Sequence, residues 1–432
     1  MKETGFVENS EKGSFNNVVP SVIENNMAQK KPYLYFTPLC NDSGRKLLPK
    51  EMQNDFEPIF RIASFFGITF CSSNGSKDET AVKNYGFKKY YDILFNIIAV
   101  LSFAISVSFV HNFSVKKAMT ITYLLKYIAG LFIRFNMILG SYKIPKVIDI
   151  LSQLYGEVAV SVYRSLKSKI YLQCLFFTLL NGILFSVVVL SVFCDGKVQN
   201  RQYLSFFGYN LTTIGGISVV HIVIASYLTN NIISIFTVSM CVLSCCNVHV
   251  ILRRVIKSYG EALIESLQNN ATKESFTDNF IIFRRIIYGV HAADNALSFI
   301  TLFTYVATIS CFFHTLSSVL TSTDFFGRPI FAAEIIIVFA FAFAIFFSLT
   351  YNAAEVTTAG DKLKQRVFCM SEIILKKNLA TDAVLSFMIL TDNIKCSSTS
   401  LTGWGMFPIT RGFVLTIAGV MITYGVLLFQ FD

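Results

Sequence analysis

Apolar residues recur in runs of about twenty along this chain, at 90–111, 118–140, 170–193, 295–318, 330–350 and 410–430. At 1.5 Å of rise per residue, each run is long enough to cross roughly 30 Å of hydrocarbon as a helix. The stretch 211–252 is also almost continuously apolar, interrupted only at Asn230 and Asn231. It is too long for a single crossing, and we read it as one long helix standing proud of the membrane, with two spans as the alternative. Residues 56–71 (FEPIFRIASFFGITFC) are apolar but too short to span, which predicts an interfacial or docked helix. The first 55 residues are rich in Asn, Ser and Lys, carry little periodicity and are expected to be disordered.

The polar connections are unequal. Those at 141–169, 251–294 and 351–409 are long, and within them 143–168 and 275–292 show apolar residues at helical spacing. The pattern predicts an all-α, polytopic membrane protein with seven transmembrane helices, a cytosolic N-terminus, an extracellular C-terminus and a helical base inside the cell. Five regions follow: a cytosolic segment to residue 55, an interfacial or re-entrant helix over 56–89, six spans over 90–350, a cytosolic segment over 351–409, and a last helix over 410–432.

Composition agrees with that class. Over half the 432 residues are apolar (53%), 43 are Phe, and 15% are charged, too few to cover a soluble surface of this size. The net charge of +10 does not point to nucleic acid, because the basic residues are dispersed among the loops. Under the seven-span reading 30 of the 37 Lys and Arg fall on the cytosolic side and 5 outside, while Lys126 and Arg134 lie within the second span. Splitting 211–252 would put Lys362, Lys364, Arg366, Lys376 and Lys377 outside, against this bias. No basic-then-apolar signal sequence precedes the first span, so that span is expected to direct its own insertion. Sequons at Asn112 and Asn210 fall in expected external loops and are candidate glycosylation sites; those at Asn41, Asn74 and Asn270 fall on the cytosolic side.

Reactive chemistry is sparse. The ten cysteines form no CxxC pair, and the adjacent Cys245 and Cys246 read as small filler within an apolar helix. Five scattered histidines offer neither a metal cluster nor a nucleophile–base pair, so the sequence predicts no enzyme and no cofactor.

The last span is the most informative. Gly412, Thr416, Gly419, Thr423 and Gln430 are spaced by 4, 3, 4 and 7 residues and share one helical face, opposite Val414, Ile417, Met421 and Leu428. Such a stripe serves either close helix packing or a water-facing pore wall with a bulky gate. An amide such as Gln430 near the membrane edge wants water or a dedicated partner, which favours the pore.

Thr423-Tyr424, five residues, then Gln430-Phe431 match the TYxxxxxQF signature of the last span of insect gustatory receptors. The approach to that span from Leu401 through Gly419, Ala293-Asp294-Asn-Ala-Leu-Ser at the fifth span, and Ile62-Ala-Ser-Phe-Phe-Gly before the first resemble the sugar-receptor branch. The resemblance covers about 56–432. Gly425 stands where that branch usually has Glu, and the fourth span lacks its usual aromatic and acidic residues. Bitter compounds are therefore kept as the second ligand class.

The resemblance implies a ligand-gated non-selective cation channel in the plasma membrane of sensory neurons, lipid-embedded, opened by a small-molecule tastant. The channel would be a homotetramer, or a hetero-oligomer with other gustatory receptors, with each last helix lining a central pore. By position in the signature Gln430 and Phe431 lie at the constriction; Thr423 and Leu427 join them on the stripe. The ligand pocket is expected in the outer half among the second to sixth spans. Candidates there are Tyr123, Lys126, Asn181, His221, Tyr227, Asn230, Asn231, Tyr305, His314 and Glu334, which combine hydrogen-bonding groups for hydroxyls with aromatic faces. Lys126 and Glu334 stand out because charge at membrane depth is costly; they could also simply pair. Asp294 is assigned to the cytosolic base, linked to Arg284 or Arg285.

Other classes fit less well. A G-protein-coupled receptor places its N-terminus outside and carries Asp-Arg-Tyr and Asn-Pro-x-x-Tyr sequences not found here. A secondary transporter would show internal repeats with helix breaks at matching places, and Asn230–Asn231 has no counterpart. An insect odorant receptor shares the expected architecture.

Overall fold

Every apolar run read as a span falls, to within two residues at its ends, on a helix of the computed structural model, which describes residues 48–70, 79–112, 117–158, 166–194, 205–206, 209–269, 272–321, 329–376 and 379–431. The helices are α1 (Leu48–Phe65), α2 (Glu79–Asn112), α3 (Lys117–Leu139), α4 (Lys143–Val158) and α5 (Lys167–Cys194). They continue as α6 (Leu211–Asn269), α7 (Lys273–Thr321), α8 (Pro329–Leu375), α9 (Thr381–Cys396) and α10 (Gly412–Phe431). Two short antiparallel hairpins, β1–β2 (Ser205–Phe206 with Tyr209–Asn210) and β3–β4 (Thr402–Gly403 with Phe407–Pro408), precede α6 and α10.

The stretch 211–252 is not two spans. It is part of a single 59-residue helix about 89 Å long that continues into the connection after it. Its apolarity reflects enclosure by protein: 89% of the most apolar window of α6 is buried, against 28% for α5 and 39% for α8. Asn230 and Asn231 do not break it, because both are buried and Asn231 donates to the Tyr227 carbonyl one turn back (2.9 Å). In the same way α7 and α8 run unbroken from the expected spans into the expected helical base. By length and apolarity alone, four helices among the described residues qualify as spans: α5, α6, α7 and α8. The end of α3 and α4 form a further apolar pair bent by 62°.

Helix α1 begins at Leu48, inside the stretch expected to be disordered. The reason is an apolar stripe of Met52, Phe56, Ile59 and Ala63, all fully buried at helical spacing. A buried charge fixes its far end. Arg134, on α3, donates to the carbonyl of Phe66 (2.8 Å) and to Asn96 Oδ1 of α2 (2.7 Å). Gly67 there has φ +72°, and a Cβ on it would press on Phe95 and on the Arg134 guanidinium. Arg134 therefore caps a docked helix, a task the sequence reading did not foresee.

The base is knitted by polar contacts between elements. Arg285 Nη1 donates to Glu157 of α4 (2.7 Å), so Asp294 has a different partner from the one expected. Its carboxylate accepts from the backbone N–H of Thr402 (2.7 Å) and from the Thr402 hydroxyl (2.8 Å), seating hairpin β3–β4 on α7. Tyr259 donates to the carbonyl of Asn279 (3.0 Å), and burial raises its phenol above the ordinary range, which keeps it a donor. At the hairpin tip Trp404 (φ +53°) and Gly405 (φ +71°) are both left-handed. Trp404 is held there by its N–H on the Ser298 carbonyl (3.1 Å) and by an edge-on contact with Phe299.

Candidate functional site

Five helices enclose a cavity of about 60 Å3, several times the ~10–15 Å3 that holds one water. Its lining follows helical periodicity on each wall. Tyr227, Asn231, Ser234, Ile235 and Val238 share one face of α6; Ala307, Thr308, Cys311 and His314 share one of α7; Glu334, Ile335, Val338, Phe341, Ala342 and Ile345 share one of α8. Lys126 of α3 and Leu184 and Val188 of α5 complete it. The polar groups thus come from α3, α6, α7 and α8, and the larger apolar surface from α5 to α8.

Both charges singled out in the sequence reach this space. Glu334 and His314 are both buried, while Lys126 is half-buried with its ammonium 5.5 Å from the centre of the Tyr127 ring. Asn231 is held at the wall by Tyr127, whose hydroxyl donates to its Oδ1 (3.1 Å). The geometry offers a carboxylate, an ammonium, an imidazole, an amide and the hydroxyl-bearing Tyr227, Ser234 and Thr308 in a predominantly apolar chamber. That suits a small molecule with a few polar groups and an apolar body.

Of the ten candidate residues, Lys126, Tyr227, Asn231, His314 and Glu334 are brought together here. The others lie elsewhere. Asn181 and Ser239 exchange hydrogen bonds (3.1 and 3.2 Å), joining α5 to α6 in the helix–helix role that any such residue can take. Tyr305 shares a hydrogen bond with Thr350 (3.0 Å) and packs against Phe346 and Phe413 near the start of α10. Asn230 is buried away from the lining, because its successor, not it, falls on the cavity face of α6. His221 is exposed, and the side chain of Tyr123 lies outside the described residues, as do those of Asn112 and Asn210. Ser234, Thr308 and Cys311 line the cavity and were missed. The signal was available in helical spacing, since Ser234 lies seven residues after Tyr227 and Cys311 three after Thr308 and three before His314, but neutral small residues are unremarkable in any apolar helix.

The last helix is arranged oppositely. Phe413, Val414, Ile417 and Met421 pack on the core, whereas Gly412, Thr416, Gly419 and Thr423 face away from it. Tyr424 joins the packed side, its ring 4.4 Å from that of Phe313. The outward side also carries Leu415 (76% exposed), Ile422 (69%) and Leu427 (46%). The side chains of Gln430 and Phe431 lie outside the described residues, so the expected constriction has no geometry here.

Comparison of the sequence with protein-family models and with curated proteins gives no match. Solved structures do match. The insect olfactory receptor OR5 from Machilis hrabei superposes with a TM-score of 0.67 at 17% identity, over 89% of this chain and all of that one. The same receptor in complex with eugenol gives 0.66 at 18% identity over the same shares. The chain therefore has the all-α, polytopic fold of an insect olfactory receptor.

Proposed function

We propose that this chain is the subunit of a ligand-gated, non-selective cation channel of gustatory type, opened by a small tastant that occupies the cavity among α3 and α5–α8. The observation that carries the reading is the facing of α10. A helix that packs Phe413, Val414, Ile417 and Met421 inward while its Gly and Thr stripe, flanked by Leu415 and Ile422, faces outward is built to meet something other than its own subunit. Four copies placing that stripe about one axis would make a water-facing wall, and the exposed Leu415 and Ile422 would be covered between neighbours. A fold neighbour solved with eugenol supports a small organic ligand.

Sugar is the first ligand class, on the resemblance of the approach to the last span and on the cavity's spread of hydrogen-bonding groups. A bitter, largely apolar compound is the second reading, favoured by the predominance of apolar walls and the small volume. The test is whole-cell current in non-neuronal cells expressing the chain alone, challenged with sugars and then with bitter alkaloids. A rapid cation current with either class is expected. Uptake of labelled ligand without any current would replace the reading with a transporter.

A further inference from the structure

The start of α10 is held by a charge bridge that no expectation from the sequence included. Arg411, immediately before the helix, donates from Nη2 to Glu355 Oε1 (2.5 Å), and Arg253 donates from Nη2 to Glu355 Oε2 (3.0 Å). Glu355 is on α8 and is buried; Arg253 is on α6, and both arginines are largely exposed. A buried carboxylate needs its partners, because leaving it unpaired forfeits the compensation for its lost hydration. The exposed arginines have no such need, so the geometry is dictated by Glu355.

The bridge lies further along two of the helices that wall the cavity. From Glu334 to Glu355 along α8 is 21 residues, and from Asn231 to Arg253 along α6 is 22, about 32 and 33 Å of unbroken helix. Both helices carry cavity residues and, 15 residues beyond Val238 on α6 and 10 beyond Ile345 on α8, a member of the bridge. Just beyond it, Phe413 stacks on Phe407 (4.9 Å) and meets Tyr305 (5.1 Å) and Phe346 (5.9 Å). Past this seat most of α10 is open on its outer side. The helix is thus tied by charge to α6 and α8 at its root, while Val414, Ile417, Met421 and Tyr424 pack further along it, and a relative movement of α6 and α8 is felt at its root through Arg411.

We propose that Glu355 is a positioning residue that couples the cavity to α10, relaying the relative placement of α6 and α8 to the root of the last helix through Arg411. The proposal rests on the cavity reading above but not on the channel passing current. Coupling of this kind requires a rigid path with a shared element at its end, and the two helices and one carboxylate supply it.

The test is amide hydrogen exchange on the purified full chain in lipid nanodiscs, followed in residues 413–420. The cavity is filled without any ligand by Ser234→Leu or, should that variant fail to fold, by Ala307→Leu. Either is expected to change exchange at 413–420 by about tenfold in the wild-type background and by less than twofold in the Glu355→Gln background. Arg411→Gln should abolish the transmission as Glu355→Gln does, and the double variant should go no further. Exchange in 48–65 serves as the folding control. The same tenfold change in both backgrounds, or no change at 413–420 with the cavity filled, overturns the proposal. Intact transmission in a chain that passes no cation current would remove the channel reading and leave the coupling standing.

Discussion

Asp294 offers the sharpest test of how the base is built. Its two carboxylate oxygens accept from the Thr402 N–H and hydroxyl at 2.7 and 2.8 Å, and the same hydroxyl accepts from the Gly405 N–H at 2.9 Å. Hydrogen bonds to a charged group contribute about 1.5–3 kcal/mol each when protected. Asp294 is only half-buried, so we take the lower end for the pair and discount it further for solvent, giving about 2 kcal/mol. Asp294→Ala removes both acceptors and leaves the turn held by the Trp404 N–H on Ser298 and the Ile409 N–H on Leu401. A loss of about 2 kcal/mol raises the local opening equilibrium roughly thirtyfold. Hydrogen exchange of the Trp404 and Ile409 amides should accelerate by that factor, while amides of α1 stay unchanged. Asp294→Asn should lie between, since one oxygen still accepts from the backbone while the amide meets a hydroxyl already engaged. Equal rates for Ala, Asn and wild type would refute the assignment and return Asp294 to a merely solvated position.

Three further outcomes are expected. Gly360→Ala places a methyl group against the Thr399 side chain, where a Cβ would meet Oγ1 and lie 2.7 Å from Thr399 Cβ; thermal unfolding in detergent should show a loss of about 1–3 kcal/mol. Thr399→Gly in the same chain, which removes the opposing Cβ as well, should recover most of it. Glu334→Ala should weaken the response to the activating tastant while surface expression is retained, and an unchanged dose–response curve removes Glu334 from the pocket. Replacing Gln430 with Ala should alter permeation or gating in the same recordings; currents identical to wild type would assign the α10 stripe to packing.

How far the sequence could be read depended on what each signal encodes. Long apolar runs report helices in a low-dielectric setting whether lipid or protein surrounds them, so α6 was legible as a helix and not as the enclosed one. Helical spacing located the stripe on α10 and its inward-packed opposite face, because facing is a property of one element. Charge in an apolar run is rare enough to mark Lys126 and Glu334, and both reach the cavity. Partnership is a different matter, since it depends on which helices meet. Nothing local separates Asn231, on the cavity wall, from Asn230, or tells Asp294 to choose Thr402, 108 residues away, over the nearby Arg285. Arg134 makes the point most clearly. The sequence placed its charge within an apolar run and assigned it no role; its guanidinium caps α1 and ties it to α2, so charge within apolar runs serves assembly at one site and the cavity at another. The two uses are distinguished by what lies opposite. Arg134 faces a backbone carbonyl and an amide oxygen within the fold, whereas Glu334 and Lys126 line a cavity shared by five helices, which is why the first reads as assembly and the other two as the proposed ligand site.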